Sequence, residues 1–212
     1  MSFVIGALLL FILIVWIKGN SNTSAPIKHN PAETNFNQLI TSPVPTHLKD
    51  ILIASDSNIS DRKISGQVIC TCGGTNFQID FVGEETNYNS VKLTKIDDEY
   101  YLIVKVRCLS CNKEHLIFDH DFQGWNGYIC TDDHKRSLPR PVAKKFICHK
   151  CNGTSHYVKL KIESLGKEDF ISETEGGFPS EKWVEAFSWI TISTECNTCG
   201  TKNKDWISCE TM

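Results

Sequence analysis

The sequence predicts a mainly β protein: two tandem antiparallel β units behind one N-terminal transmembrane helix. Three observations carry this. Eight of the ten cysteines fall in four close pairs, apolar residues alternate with polar ones in several segments, and the first seventeen residues hold no charge.

Phe3 to Ile17 is apolar apart from Gly6. At 1.5 Å per residue, the helix from Met1 to Ile17 within the anchor 1–18 reaches about 25 Å, a little short of the ~30 Å of a hydrocarbon core, and Trp16 and Lys18 suit the interface. The segment therefore reads as a single membrane anchor. A cleaved signal peptide is the alternative. No Lys or Arg precedes the apolar run, however, and the best small-residue site, Thr23-Ser24-Ala25, is followed by Pro26. Lys18 and Lys28 lie on the C-terminal side, which by the positive-inside rule puts the rest of the chain in the cytoplasm.

Residues 19–63 form a polar linker with prolines at 26, 31, 43 and 45. Two short helices are expected in it. Asn30-Pro31-Ala32-Glu33 combines an N-cap, a proline in the first turn and an acid, and Thr46 can cap a helix from His47 to Ala54. Leu48, Ile51 and Leu52 would share one face of the second.

The first β unit is expected over 64–129. Phe77, Ile79 and Phe81 alternate with Gln78 and Asp80; Tyr100, Leu102, Val104 and Val106 alternate with Tyr101, Ile103, Lys105 and Arg107; Glu114 to Phe118 makes a further strand. A connector, 130–141, follows. The basic run from Lys135-Arg136 to Lys144-Lys145, with Arg140 between two prolines, reads as a solvated linker. The second unit, 142–212, repeats the plan with strands at Tyr157 to Ile162 and Phe187 to Ser193. It carries a longer insertion, Glu163 to Lys182, expected as a loop around Gly176-Gly177 and Pro179.

The cysteine pairs are Cys70-Thr71-Cys72, Cys108-Leu109-Ser110-Cys111, Cys148-His149-Lys150-Cys151 and Cys196-Asn197-Thr198-Cys199. A tetrahedral zinc ion takes four thiolates at about 2.3 Å, and one short turn can supply two of them. Such a turn tends to place the residue after its second cysteine in the left-handed region, which glycine enters freely and asparagine tolerates. Those residues are Gly73, Asn112, Asn152 and Gly200. Taken in chain order, Cys70, Cys72, Cys108 and Cys111 form one structural zinc site, and Cys148, Cys151, Cys196 and Cys199 a second. The competing reading is a disulfide framework. Bridges inside such close pairs are strained, so pairs would have to be joined across the fold. A reducing cytosol keeps thiols free for metal, in agreement with the orientation read from the lysines. Cys130 and Cys209 stay outside the pattern and read as inert thiols.

Over residues 64–212 the order of knuckle, strands, second knuckle and strands resembles the zinc ribbon (zinc β-ribbon) class. The resemblance rests on the cysteine pairs and implies metal and fold, not an activity. The one-residue spacer of Cys70-Thr71-Cys72 departs from the usual two.

No nucleophile elbow, phosphate-binding glycine loop, HExxH helix or deaminase signature is present. A site closed by four thiolates has no open position, so the chain reads as a non-enzyme. A net charge of −3 and a pI near 6.2 argue against nucleic acid. Trp125 and Tyr128, in the glycine-rich stretch His120 to Tyr128, are candidate anchors for a partner protein, with simple packing as the alternative role. The expected function is a membrane-anchored structural zinc-binding module that mediates protein–protein interaction. The alternatives are a rubredoxin-like iron electron carrier, since four thiolates also suit iron, and a nucleic-acid-binding ribbon.

Overall fold

A computed structural model describes residues 43–55, 60, 62–86 and 89–212. The anchor expected at 1–18 and the short helix at 30–33 lie outside these residues. Among the described residues, no helix is long and apolar enough to cross a membrane.

The order of elements begins with a 3-10 turn, Thr46–Leu48, and the strands β1 (Leu52–Ala54), β2 (Lys63–Val68), β3 (Phe77–Val82), β4 (Glu84–Glu85) and β5 (Val91–Lys92). Then come β6 (Thr94–Ile96), β7 (Glu99–Tyr101), β8 (Ile103–Cys108) and β9 (Glu114–Asp119). A π-helical turn, Asn126–Cys130, and helix α1 (Asp133–Ser137) lead into β10 (Lys144–Lys145) and β11 (His156–Glu163). Helix α2 (Lys167–Glu173), a 3-10 turn at Ser180–Val184, β12 (Trp189–Cys196) and β13 (Lys202–Glu210) complete the chain.

The protein is mainly β, and alternation decides which face of each strand is buried. Phe77, Ile79 and Phe81 of β3, Val104 and Val106 of β8, and Val158, Leu160 and Ile162 of β11 enter one apolar core together with Ile190, Ile192 and Trp206. Gln78, Asp80, Lys159 and Lys161 point away from it, as a period of two requires.

Among the described residues, eleven strands form one sheet, with β4-β5-β13-β12-β11-β3-β8-β9 as its main path. The two expected units thus share a sheet and a core. β3-β8-β9 is the ribbon of the first and β11-β12-β13 that of the second, and they meet where Phe77 faces His156. Each lends the other a strand. β2, which precedes the first knuckle, pairs with β11 from Gln67↔Lys159 to Lys63↔Glu163. β10, which precedes the second unit's first knuckle, pairs with β3 through Lys144↔Phe81 and Lys145↔Asp80. The sheet is mixed and not wholly antiparallel, because β5 joins β13 in parallel.

Three local expectations need correction. Thr46 to Ala54 is not one helix: a 3-10 turn ends at Leu48 and β1 follows. Leu48, Ile51 and Leu52 are nevertheless buried in the main core, because β1 pairs with β2 through Leu52↔Val68. The insertion after Glu163 is not a bare loop, since α2 buries Phe170 in a second apolar cluster with Trp183, Val184 and Ala186. The basic connector is not simply solvated either. Arg140 extends its two guanidinium NH2 groups to the buried Asp119 and Asp121, and Lys135 Nζ lies 3.1 Å from Asp121 and 3.4 Å from Glu99.

Candidate metal centres

The second knuckle of each ribbon is the turn of a hairpin, β8–β9 or β12–β13, and each first knuckle interrupts a long extended run, β2–β3 or β10–β11. In the three CxxC turns the amide four residues after the first cysteine donates to that cysteine's carbonyl at 2.8 Å: Asn112 to Cys108, Asn152 to Cys148 and Gly200 to Cys196. The CxC turn is one residue tighter, with Gly73 N donating to Cys70 O at 2.7 Å. Gly73, Asn112, Asn152 and Gly200 have φ of 84°, 60°, 60° and 70°, the left-handed geometry that their sequence positions call for.

These turns bring the eight cysteines into two groups of four, and each group could hold a metal ion. Within a group the ligand atoms all lie within 4.8 Å of one another. Cys70 Sγ is 3.5 Å from Cys111 Sγ, and Cys72 Sγ is 3.6 Å from Cys108 Sγ. In the second group Cys148 to Cys199 is 3.6 Å and Cys151 to Cys196 is 3.5 Å. Four thiolates at about 2.3 Å from a tetrahedral centre stand about 3.8 Å apart, so both cages fit such an ion. All ten cysteines are free, and the framework of disulfides is not formed. The four inner sulfurs, of Cys70, Cys108, Cys148 and Cys196, belong to residues no more than 2% exposed, whereas Cys72, Cys111 and Cys199 face solvent.

Electrostatics fit the same ion. Burial raises the Cys108 thiol, but the amides of Cys111 and Ser110 and the thiols of Cys72 and Cys70 outweigh burial and bring it down to about 6. Cys111 moves the other way: the Lys113 amide lowers it, yet the Cys72 and Cys70 thiols, burial and Cys108 push it up to about 12. In the second cage the Thr201 hydroxyl and amide and the Cys151 thiol lower Cys199 to about 6. There the Gly153 amide lowers Cys151, but Cys199, burial, Cys196 and Cys148 raise it to about 12. Four sulfurs this close cannot all be anionic without a cation among them. A divalent ion removes that conflict.

Two glycines missed as functional residues shape the cages. A Cβ on Gly74 would lie 2.7 Å from Cys108 Sγ, and one on Gly153 would lie 3.2 Å from both Cys151 Sγ and Cys196 Sγ. Their signal is in the sequence, as the second residue after each first pair, but Gly74 is required for space and not for backbone freedom. Gly74→Ala and Gly153→Ala should each speed the loss of metal to a chromophoric chelator, because the added methyl crowds the sulfurs of one cage.

The two cages are neighbours. Cys108, Phe77, His156 and Cys196 occupy one register row across β8, β3, β11 and β12. Three strand spacings put their backbones roughly 14 Å apart. Asn197, inside the second cage's CxxC, donates through Nδ2 to Asn76 Oδ1 at 2.9 Å, and Asn76 O accepts the amide of Leu109, inside the first cage's CxxC.

Other candidates are placed elsewhere. Trp125 and Tyr128 are partly buried against the second cluster, Trp125 edge-on to Phe170 at 6.2 Å and Tyr128 beside Phe178 at 6.0 Å, so both contribute packing. Cys130 is exposed. Cys209 is buried, which pushes its thiol up to about 11, and it donates to Glu210 O. Among the described residues neither thiol joins a third group of metal ligands. Comparison with protein-family models, with curated proteins and with solved structures returns no match.

Proposed function

We propose that the chain is a membrane-anchored structural zinc-binding module whose β-sheet domain faces the cytoplasm and mediates protein–protein interaction. The observation that carries this reading is the pair of four-thiolate cages, each built by two turns whose amides and left-handed residues hold the sulfurs in place. When bound, zinc supplies a cross-link between distant parts of the chain, and the residues around it contribute orientation and charge balance. Four protein ligands leave no position for substrate or water, so the reading includes no catalysis. The uncharged segment 1–17 with Trp16 and Lys18 supports the anchor, and the lysines after it support the orientation. Leu109 and Ile147, both at the knuckles, are 45% and 49% exposed, which supports a partner-facing role for this end of the sheet.

Native mass spectrometry with elemental analysis tests the metal. Two zinc ions per chain, lost together with the fold on chelation, are expected. A red, reducible protein with two irons would replace this reading by a rubredoxin-like electron carrier. A metal-free chain with several disulfides would overturn both.

A further inference from the structure

The two cages share a thiolate plan but differ in what touches their sulfurs. His115 on β9 brings Nε2 to 3.3 Å from Cys70 Sγ. A metal-bound thiolate has no proton to give, so the ring must donate. His115 sits opposite Val106 in the β8–β9 register, and the corresponding partner in the second ribbon, opposite Thr194, is Asn203. The second cage instead has the Thr201 hydroxyl 3.1 Å from Cys199 Sγ, at a position occupied by Lys113 in the first.

The spacing of the first knuckle gives this difference a purpose. A CxxC turn has three peptide N–H groups from the first spacer residue to the second cysteine, and in both hairpin knuckles such amides reach the first sulfur: those of Ser110 and Cys111 at Cys108, and those of Thr198 and Cys199 at Cys196. Cys70-Thr71-Cys72 has one peptide fewer. Hydrogen bonds to a thiolate spread its charge and fix its direction, and donors of this kind set how firmly a metal is held.

We propose that His115 is the positioning residue of the first cage: its Nε2–H donates to the Cys70 thiolate in place of the amide that the one-residue spacer removes. The proposal rests on the reading of both cages as metal sites. His115 is not a ligand; it orients one and screens its charge. The two bound ions are therefore inequivalent, the first depending on an imidazole on the neighbouring strand and the second on Thr201 and its own turns.

Cadmium-113 tests this on the full chain, because the nucleus reports on each cage separately. In the parent protein two cadmium resonances are expected, and one should show a through-bond coupling to the imidazole Nε2 proton of His115 by way of the Cys70 sulfur. His115→Phe keeps a ring on β9 but removes the donor. It should shift that resonance alone and lower the cadmium affinity of that cage about 10- to 100-fold, as loss of an outer donor does. His115→Gln, which restores an N–H, should recover most of it. Two ions bound with no imidazole coupling in the parent would overturn the proposal and leave the metal reading standing, and so would equal weakening of both cages in His115→Phe. Uptake of no cadmium would overturn both.

Discussion

Cys148→Ser should unfold the whole β domain at 25 °C and release both ions, not only the one whose ligand is lost. A structural four-thiolate zinc site contributes about 10–16 kcal/mol of apparent binding free energy, which is folding free energy when the site exists only in the folded chain. A domain of this size is stable by about 5–15 kcal/mol in total. Loss of one site therefore removes the margin. Sequence alone suggests that each cysteine substitution damages its own unit. The shared sheet changes the expectation, since β2 and β10 each cross to the other ribbon and Asn76 ties the two CxxC hairpin turns together. Circular dichroism and metal release should show one coincident transition for Cys148→Ser and likewise for Cys108→Ser. A surviving one-ion species with half of its strands protected from hydrogen exchange would show that the ribbons fold independently.

Arg140→Ala should cost about 3–5 kcal/mol, the range for removing one partner of a buried ion pair. Asp119 and Asp121 have side chains only 7% and 1% exposed, and Arg140 serves both while its guanidinium lies 4.9 Å from the Phe122 ring centroid and 5.6 Å from that of Tyr101. Lys135 still faces Asp121 after the substitution, so Asp119 bears most of the loss. Asp119→Asn in the Arg140→Ala background should recover part of it, because a neutral amide needs no countercharge. Arg140→Lys keeps the charge but not the fork, and should fall between. Denaturant midpoints at unchanged slope measure these differences.

The acid limb of stability carries the same signature. Burial raises Asp121, but His120, Arg140 and Lys135 outweigh burial and hold it down at about 2, below its usual 3.8. A depressed carboxylate stabilises the fold above the unfolded value and loses that contribution as pH falls from about 4 towards 2. Asp119 has the opposite sign, since burial raises it despite Arg140, and acidification relieves its cost. Arg140→Ala should flatten the first dependence and steepen the second.

What could be read in the sequence was what is local. The cysteine pairs, the left-handed residues after them and the alternation of Phe77, Ile79 and Phe81 each depend on a few neighbouring residues, and each reappears in the structure. What could not be read depends on distant pairing. Lys144-Lys145 looks like a solvated charge run, yet its backbone pairs with β3, because strand pairing is blind to side chains that point outward. Arg140 gives no sign of its partners at Asp119 and Asp121, some twenty residues away. His115 reads as one more residue of a strand, and only the bend of the β8–β9 hairpin carries it to Cys70.

The exchange of lead-in strands also sets an order of events during synthesis. β2 can pair with β1 as soon as both leave the ribosome, but its other edge waits for β11, and β3 waits for β10. At about 5–20 residues per second, the roughly 95 residues between Val68 and Glu163 take about 5–20 seconds to be made. For the last 52 residues of that interval, from Cys111 to Glu163, or about 3–10 seconds, the first four cysteines are all made but lack the strand that completes their sheet. The nascent chain is then open to the wrong metal, to oxidation and to pairing with a second nascent copy through the same edges.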